Sequence, residues 1–209
     1  MTAKPRETWT TYRSSIGDRS AMFAQVARRW DISSAVYPGA YLDLSPSVSI
    51  PTVTYNDMDR RAARFFADEA LVTQELDGRS SLEAREVRFI HGDYTQPLDI
   101  DDNSHDLLIS LYAGPVWDHC RRYLRDGGYL LANTSHGDGS VAALDPALTL
   151  VGVIGGSGES AVLDESELDS YLIPKKPGEA DAQRIRQAGK GIAYTRTASA
   201  YLFRYDAAL

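Results

Sequence analysis

The sequence predicts an α/β domain: a doubly wound, mainly parallel sheet with helices on both faces and an antiparallel C-terminal edge addition. Three observations predict it. Short β-branched or apolar runs at Ser34–Tyr37, Thr52–Tyr55, Val87–Ile90, Leu107–Leu111 and Tyr129–Ala132 alternate with helix-patterned segments, as in consecutive βα units. The run Leu107–Leu111 is nearly all apolar, as a strand buried on both faces requires. The last third carries two strand-like runs, Leu148–Ile154 and Ala198–Tyr205, joined by a charged, proline-containing segment. Without a clear crossover helix between them, they predict antiparallel strands added at an edge.

The elements follow in order. Residues 1–17 read as a loosely packed arm. With the helix after it, the arm makes residues 1–33 an N-terminal extension of a single domain spanning 1–209. Phe23, Val26, Ala27 and Trp30 recur at helical steps, and Asp18 or Ser20 can cap their start. The strand at Ser34 breaks at Pro38-Gly39, and Tyr41–Ser49 is irregular. The strand at Thr52 ends in Asn56-Asp57-Met58-Asp59, where Asp59 caps a helix that buries Ala62, Phe65 and Phe66, with Ala70 beyond. The strand at Val87 ends in His91-Gly92-Asp93. Trp117, Cys120, Tyr123 and Leu124 predict the next helix, with Gly127-Gly128 as its stop.

Composition narrows the function classes. The chain has 209 residues, of which 43% are hydrophobic and 24% charged, with a formal net charge of −7. That size suits one domain with a sizeable core. An acidic surface repels phosphate backbones, so no nucleic-acid partner is expected. The arginines at 60, 61 and 64 and at 121 and 122 fall at helical spacing and read as solvated helix faces. The single cysteine, Cys120, rules out an internal disulfide and thiolate metal clusters, and fits a reducing cytoplasm. The polar N-terminus does not resemble a signal peptide, and no apolar stretch is long enough to span a bilayer. No membrane partner and no metal site are expected.

In doubly wound sheets, ligands sit beyond the carboxyl ends of the strands. Three successive strand ends here carry groups that suit a nucleoside. Gly39 lets backbone approach a ligand closely. Asp57 can accept two ribose hydroxyls, because a carboxylate has two acceptor oxygens. Asp93 can accept from an exocyclic adenine amine. Each has a bland reading as well: Asp57 as a helix cap, Asp93 as turn chemistry.

The stretches "VTYNDMD", "VRFIHGDYTQPL", "HDLLISLYAGP" and "RRYLRDGGYLLAN" resemble, in order, the second-strand, third-strand, fourth-strand and fifth-strand motifs of class I S-adenosylmethionine-dependent methyltransferases. The resemblance covers Ala35–Asn133 and implies S-adenosylmethionine as cofactor. It implies cofactor contacts from Tyr37 and Gly39 at the first strand end, Asp57 and Met58 at the second, and Asp93 and Tyr94 at the third. Ser110 and Leu111 match the fourth-strand exit, where the transferred methyl group lies. The departure is the first turn, "VYPGAYLDLSP", with one glycine where the family usually has three. The resemblance implies methyl transfer to a small-molecule or protein acceptor, with no catalytic residue assigned.

Two further readings stay open. One is a non-catalytic binding protein on the same fold whose cofactor turn has decayed. The other is a nicotinamide-dependent oxidoreductase, because Gly156-x-Gly158-x-x-Ala161 follows an apolar strand and matches the dinucleotide fingerprint. That fingerprint needs a following helix and a further strand, so a tight strand turn is the expected structure there. His91, His105, His119 and His136 could each serve as a base, and their spacing fits no zinc pattern. Ser135, His136 and Asp138 lie too close in sequence to count as a triad.

Overall fold

In the computed structural model, residues 4–80, 82 and 84–207 are described. The chain runs α1 Pro5–Ile16, α2 Ser20–Trp30, β1 Ser34–Pro38, β2 Thr52–Asp57, α3 Arg60–Phe66, α4 Glu69–Asp77, β3 Glu86–His91 and β4 His105–Ser110. It continues with α5 Val116–Cys120, β5 Leu124–Ala132, α6 Asp138–Ala142, β6 Leu148–Gly155, β7 Val162–Asp164, α7 Ala182–Ala188 and β8 Ala200–Tyr205. One eight-stranded sheet has the order β3-β2-β1-β4-β5-β8-β6-β7. The pairings β1–β2, β1–β4, β2–β3 and β4–β5 are parallel, while β8 is antiparallel to both β5 and β6, and β7 to β6. The expected mainly parallel sheet with an antiparallel C-terminal addition is therefore present. Within that addition the last strand in sequence is wedged between β5 and β6.

Period-2 alternation sorts the strand residues onto two faces. Ala35, Tyr37, Val53, Tyr55, Leu107 and Ile109 pack with α1 to α4 in one core, while Val36, Leu108, Leu130 and Ala132 pack with α5 to α7 in the other. The strands β1 and β4 are buried on both faces, which is why they read as continuous apolar runs. Among the described residues no helix is long and apolar enough to cross a membrane.

Four expectations are corrected. Residues Pro5–Ile16 are not a loose arm; they form α1, with Pro5 in its first turn. The Trp9 ring stacks on Phe65 of α3, with centroids 6.4 Å apart and planes 6° apart. Polar spacing hid this helix, because it buries one indole and little else. Residues 1–3 of the expected arm lie outside the described residues.

Gly127-Gly128 does not stop a helix. β5 begins earlier, at Leu124, and its register against β4 jumps from His105↔Leu124 to Leu107↔Tyr129. The two glycines form that bulge: Gly127 has φ +70°, and a Cβ on Gly128 would lie 2.8 Å from the Arg125 carbonyl oxygen. The helix–strand alternation is also incomplete. The crossover from β1 to β2 holds only a 3₁₀ turn at Ser45–Val48, and among the described residues the β3–β4 connection holds no helix. Finally, the helix after Asp59 ends at Phe66, so Ala70 falls on α4 and is exposed.

Candidate functional site

The sheet order places the carboxyl ends of β3, β2, β1 and β4 side by side. Asp93, Asp57 and Gly39 therefore follow one another along one rim, with Leu111 at the next strand end. The Asp57 carboxylate is positioned by backbone. Its Oδ2 accepts the Tyr41 N–H at 2.8 Å and its Oδ1 accepts the Asp59 N–H at 2.7 Å. Each oxygen keeps a second lone pair for a ligand hydroxyl. Met58 beside it is largely exposed. Asp59 is the cap expected, accepting the Arg61 N–H.

Asp93 is exposed, and its Oδ1 accepts the Thr95 N–H at 2.9 Å. That hydrogen bond, with one from the Thr95 side chain, lowers its pKa. Next to Asp57, the fully buried Asn56 donates from Nδ2 to the Ile90 and Gly92 carbonyls at 2.9 Å each. Its Oδ1 finds no hydrogen-bond partner among the described residues. A buried acceptor without a donor costs free energy. The carboxylates at the ends of β2 and β3 have the acceptor capacity that ribose hydroxyls and an exocyclic amine require.

The β1 end is tighter. Gly39 has φ +67°, and a Cβ there would lie 2.6 Å from the Ala113 Cβ and 3.6 Å from the Tyr94 ring. The Tyr94 hydroxyl donates to the Gly114 carbonyl at 3.0 Å. Tyr94 thus reaches from the exit of β3 past β1 to the loop after β4. The structure brings Gly39, Tyr94 and Ala113 together and fills the space between them.

Two other expected residues face elsewhere. Tyr37 is fully buried, with its hydroxyl 3.4 Å from Asp43 Oδ2. Burial pushes its pKa well up. The buried Ser110 hydroxyl donates to Asp138 Oδ2 at 2.5 Å, on the opposite face of the sheet. Asp138 also accepts the Trp117 N–H at 3.0 Å and so fixes the start of α5. Burial raises the Asp138 pKa more than these bonds lower it. Leu111 lines a separate cavity.

That cavity has a volume of about 100 Å³ and lies where β4 and β6 end and β8 begins. Its lining includes Arg19, Leu111, Tyr112, Ile154, Gly156 and Ala200. Arg19 pairs with the buried Asp43 at 2.9 Å, and its guanidinium carbon sits 4.8 Å from the Tyr112 ring centroid. Burial works against the Arg19 charge, but Asp43 together with Tyr37 and Tyr12 outweighs it and the pKa is raised. Sequence reasoning missed Arg19, Asp43 and Tyr112, which carry no local motif. Gly156 and Gly158 were visible as a glycine turn. They join β6 to the antiparallel β7 through a 3₁₀ turn at Gly158–Ser160. No helix follows, so the context of a dinucleotide fingerprint is missing. Among the described residues no cluster of three or more His, Cys, Asp or Glu is placed to hold a metal ion.

The sheet order and the helices on both faces define the fold of class I S-adenosylmethionine-dependent methyltransferases. No protein-family model and no curated protein matches the sequence. Solved structures do. A provisionally assigned caffeoyl-CoA O-methyltransferase from Staphylococcus aureus is 11% identical with TM-score 0.50, over 98% of this chain and 93% of that one. A methyltransferase from Geobacter sulfurreducens is 18% identical with TM-score 0.47, over 78% of this chain and 90% of that one. For a provisionally assigned S-adenosylmethionine-dependent methyltransferase from Methanococcus maripaludis the values are 17% and 0.45, over 63% of this chain and 61% of that one. The match to the last thus spans less than two thirds of that protein's length. At such identities the likeness concerns the fold.

Proposed function

We propose that this chain is an S-adenosylmethionine-dependent methyltransferase acting on a small-molecule or protein acceptor. The observation that carries the reading is the pair Asp57 and Asp93 at the ends of the adjacent strands β2 and β3. When bound, S-adenosylmethionine would supply an electrophilic methyl group on a cationic sulfur for transfer to the acceptor. Asp57 would hold the ribose hydroxyls, Met58 would cover the base and Asp93 would accept from its amine. Leu111 and Tyr112 would separate cofactor from acceptor. The protein's contribution is then alignment and exclusion of water, and no base need be assigned. The net charge of −7 argues against a nucleic-acid acceptor.

A second reading has its own support. The β1–β2 crossover lacks an α-helix, so no helix N-terminus faces the first turn, and Ala113 occupies the space beside Gly39. Both features favour a non-catalytic protein on this fold. Calorimetric titration with S-adenosylhomocysteine decides between the readings. Micromolar binding is expected for the methyltransferase, and no heat at millimolar ligand would leave the second reading standing.

A further inference from the structure

We propose that the cavity at the exits of β4 and β6 binds a small acceptor molecule built from a compact apolar body and one carboxylate, which Arg19 holds. Its role as the methyl-acceptor site rests on the methyltransferase reading. Its affinity for such a carboxylate does not.

Volume limits the ligand first. A dry cavity of about 150 Å³ holds benzene; this one, at about 100 Å³, encloses only a short chain or part of one ring, the rest of which would lie at the mouth beside the exposed Tyr112. A long peptide side chain with its backbone does not fit. The walls set the body of the ligand. Met22, Leu111, Ile154, Ala161 and Ala200 are buried apolar residues and suit an apolar body, while Ser157 and Ser199 also line the cavity.

Arg19 sets the head group. It is the one cationic side chain among the lining residues. A guanidinium carries five N–H donors, and the hydrogen bond from Arg19 to Asp43 uses Nη1 alone. Nε and Nη2 meet no acceptor among the described residues, and neither is sealed from solvent. Asp43 is held in place by other donors as well: its Oδ1 accepts the Ser45 N–H at 3.0 Å, and Tyr37 approaches its Oδ2. Arg19 therefore keeps free N–H donors in the planar geometry that matches a carboxylate, which would share the guanidinium with Asp43.

Tyr112 supplies the orientation. It is an exposed aromatic residue with φ +60°, a left-handed backbone that is costly for a bulky side chain and recurs at ligand sites. Arg19 stacks on its ring, so the ring stands at the cavity mouth where a planar body can lie against it. The same loop touches the cofactor rim, since Ala113 abuts Gly39. The loop after β4 thus borders both the cavity, through Leu111 and Tyr112, and that rim, through Ala113.

The test titrates benzoate and benzyl alcohol into the full chain, with and without S-adenosylhomocysteine. Benzoate is expected to bind at least tenfold more tightly than benzyl alcohol. Arg19→Gln is expected to erase that preference. Because Arg19→Gln leaves Asp43 unpaired and can unfold the chain, Ala161→Leu serves as a second variant: it fills the cavity, keeps the ion pair, and should weaken benzoate at least tenfold. In crystals soaked with 4-bromobenzoate, the anomalous bromine peak should lie among Met22, Leu111 and Ile154. Absence of benzoate binding, binding untouched by Ala161→Leu, or a bromine peak at the Gly39–Asp57 rim would each overturn the proposal. If benzoate binds through Arg19 while S-adenosylhomocysteine does not bind, methyl transfer falls and the carboxylate site stands. If S-adenosylhomocysteine binds and benzoate does not, the opposite holds.

Discussion

Oδ2 of Asp57 accepts the backbone N–H of Tyr41 at 2.8 Å, which ties the end of β2 to the loop after β1. The carboxylate expected to hold a ribose therefore also shapes the turn beside it. Asp57→Ala is expected to weaken S-adenosylhomocysteine by about 2–3 kcal/mol, the loss of two charge-assisted hydrogen bonds. Calorimetry on the folded variant measures it, and unchanged affinity would remove Asp57 from the site. Asp59→Ala, which removes a helix cap, should cost about 1 kcal/mol of stability and spare affinity.

Gly39 and Ala113 define the second prediction. A methyl group at Gly39 would collide with the Ala113 Cβ at 2.6 Å and would also carry φ +67°. Gly39→Val should abolish S-adenosylhomocysteine binding and lower the melting temperature. Pairing Gly39→Ala with Ala113→Gly should recover part of the stability lost in Gly39→Ala alone, because the collision is relieved and the backbone strain is not. At Gly158 a Cβ would meet only the Asp18 carbonyl oxygen, at 3.6 Å. Gly158→Val should leave the nucleoside in place while costing some stability through its positive φ.

Asp138 gives a pH dependence with a definite sign. Burial raises its pKa in the folded chain. A raised carboxyl pKa favours the neutral form, so its contribution to stability is fully present below the unfolded pKa and is lost as pH rises through the folded pKa. Chemical denaturation from about pH 4 upward should show this loss in the wild type. Asp138→Asn should flatten that part of the profile. Identical profiles for the two proteins would show that Asp138 ionises in the fold as it does in water.

Asp106 acts in the opposite sense. Burial opposes its charge, but hydrogen bonds from Arg125, Ser33 and Ser34 outweigh burial and hold its pKa far below the carboxylate range. Its Oδ2 accepts the backbone N–H groups of Ser33 and Ser34, both at 2.9 Å, and its Oδ1 accepts Arg125 Nε at 2.6 Å. The stability this supplies is present above the unfolded pKa and disappears as pH falls through the folded one. Asp106→Ala should cost about 2–4 kcal/mol at neutral pH by denaturant titration. Acid should narrow the gap between variant and wild type; a gap that stays constant down to pH values below the carboxylate range would refute the assignment.

The parallel half of the sheet was legible because its signals are local. Thr52–Tyr55 and Leu107–Leu111 declare strands through β-branching and unbroken apolarity, and Asp59 declares a cap three residues before Ala62. The N-terminal helix was not legible, since Trp9 alone marks its buried face. Leu124 was misread for a comparable reason: it continues the apolar spacing of Trp117 and Cys120, and the bulge at Gly127-Gly128 that releases it into β5 depends on pairing with β4. Of the expected site residues, Gly39, Asp57, Asp93 and Tyr94 gather at one rim. Tyr37 and Ser110 point into the interior, because strand alternation turns them toward Asp43 and Asp138.

The sequence by itself determined the succession of strands, their burial, and the acids that end β2 and β3, because periodicity and turn chemistry act within a few residues. Tertiary structure decided what those ends can hold. Ala113 against Gly39, Asp138 beneath Ser110, and Arg19 on the ring of Tyr112 are contacts between distant segments. No local pattern encodes them, since each forms only when the sheet order brings the ends of β1, β4 and β6 to the same side and the packed helices leave those side chains one place to go.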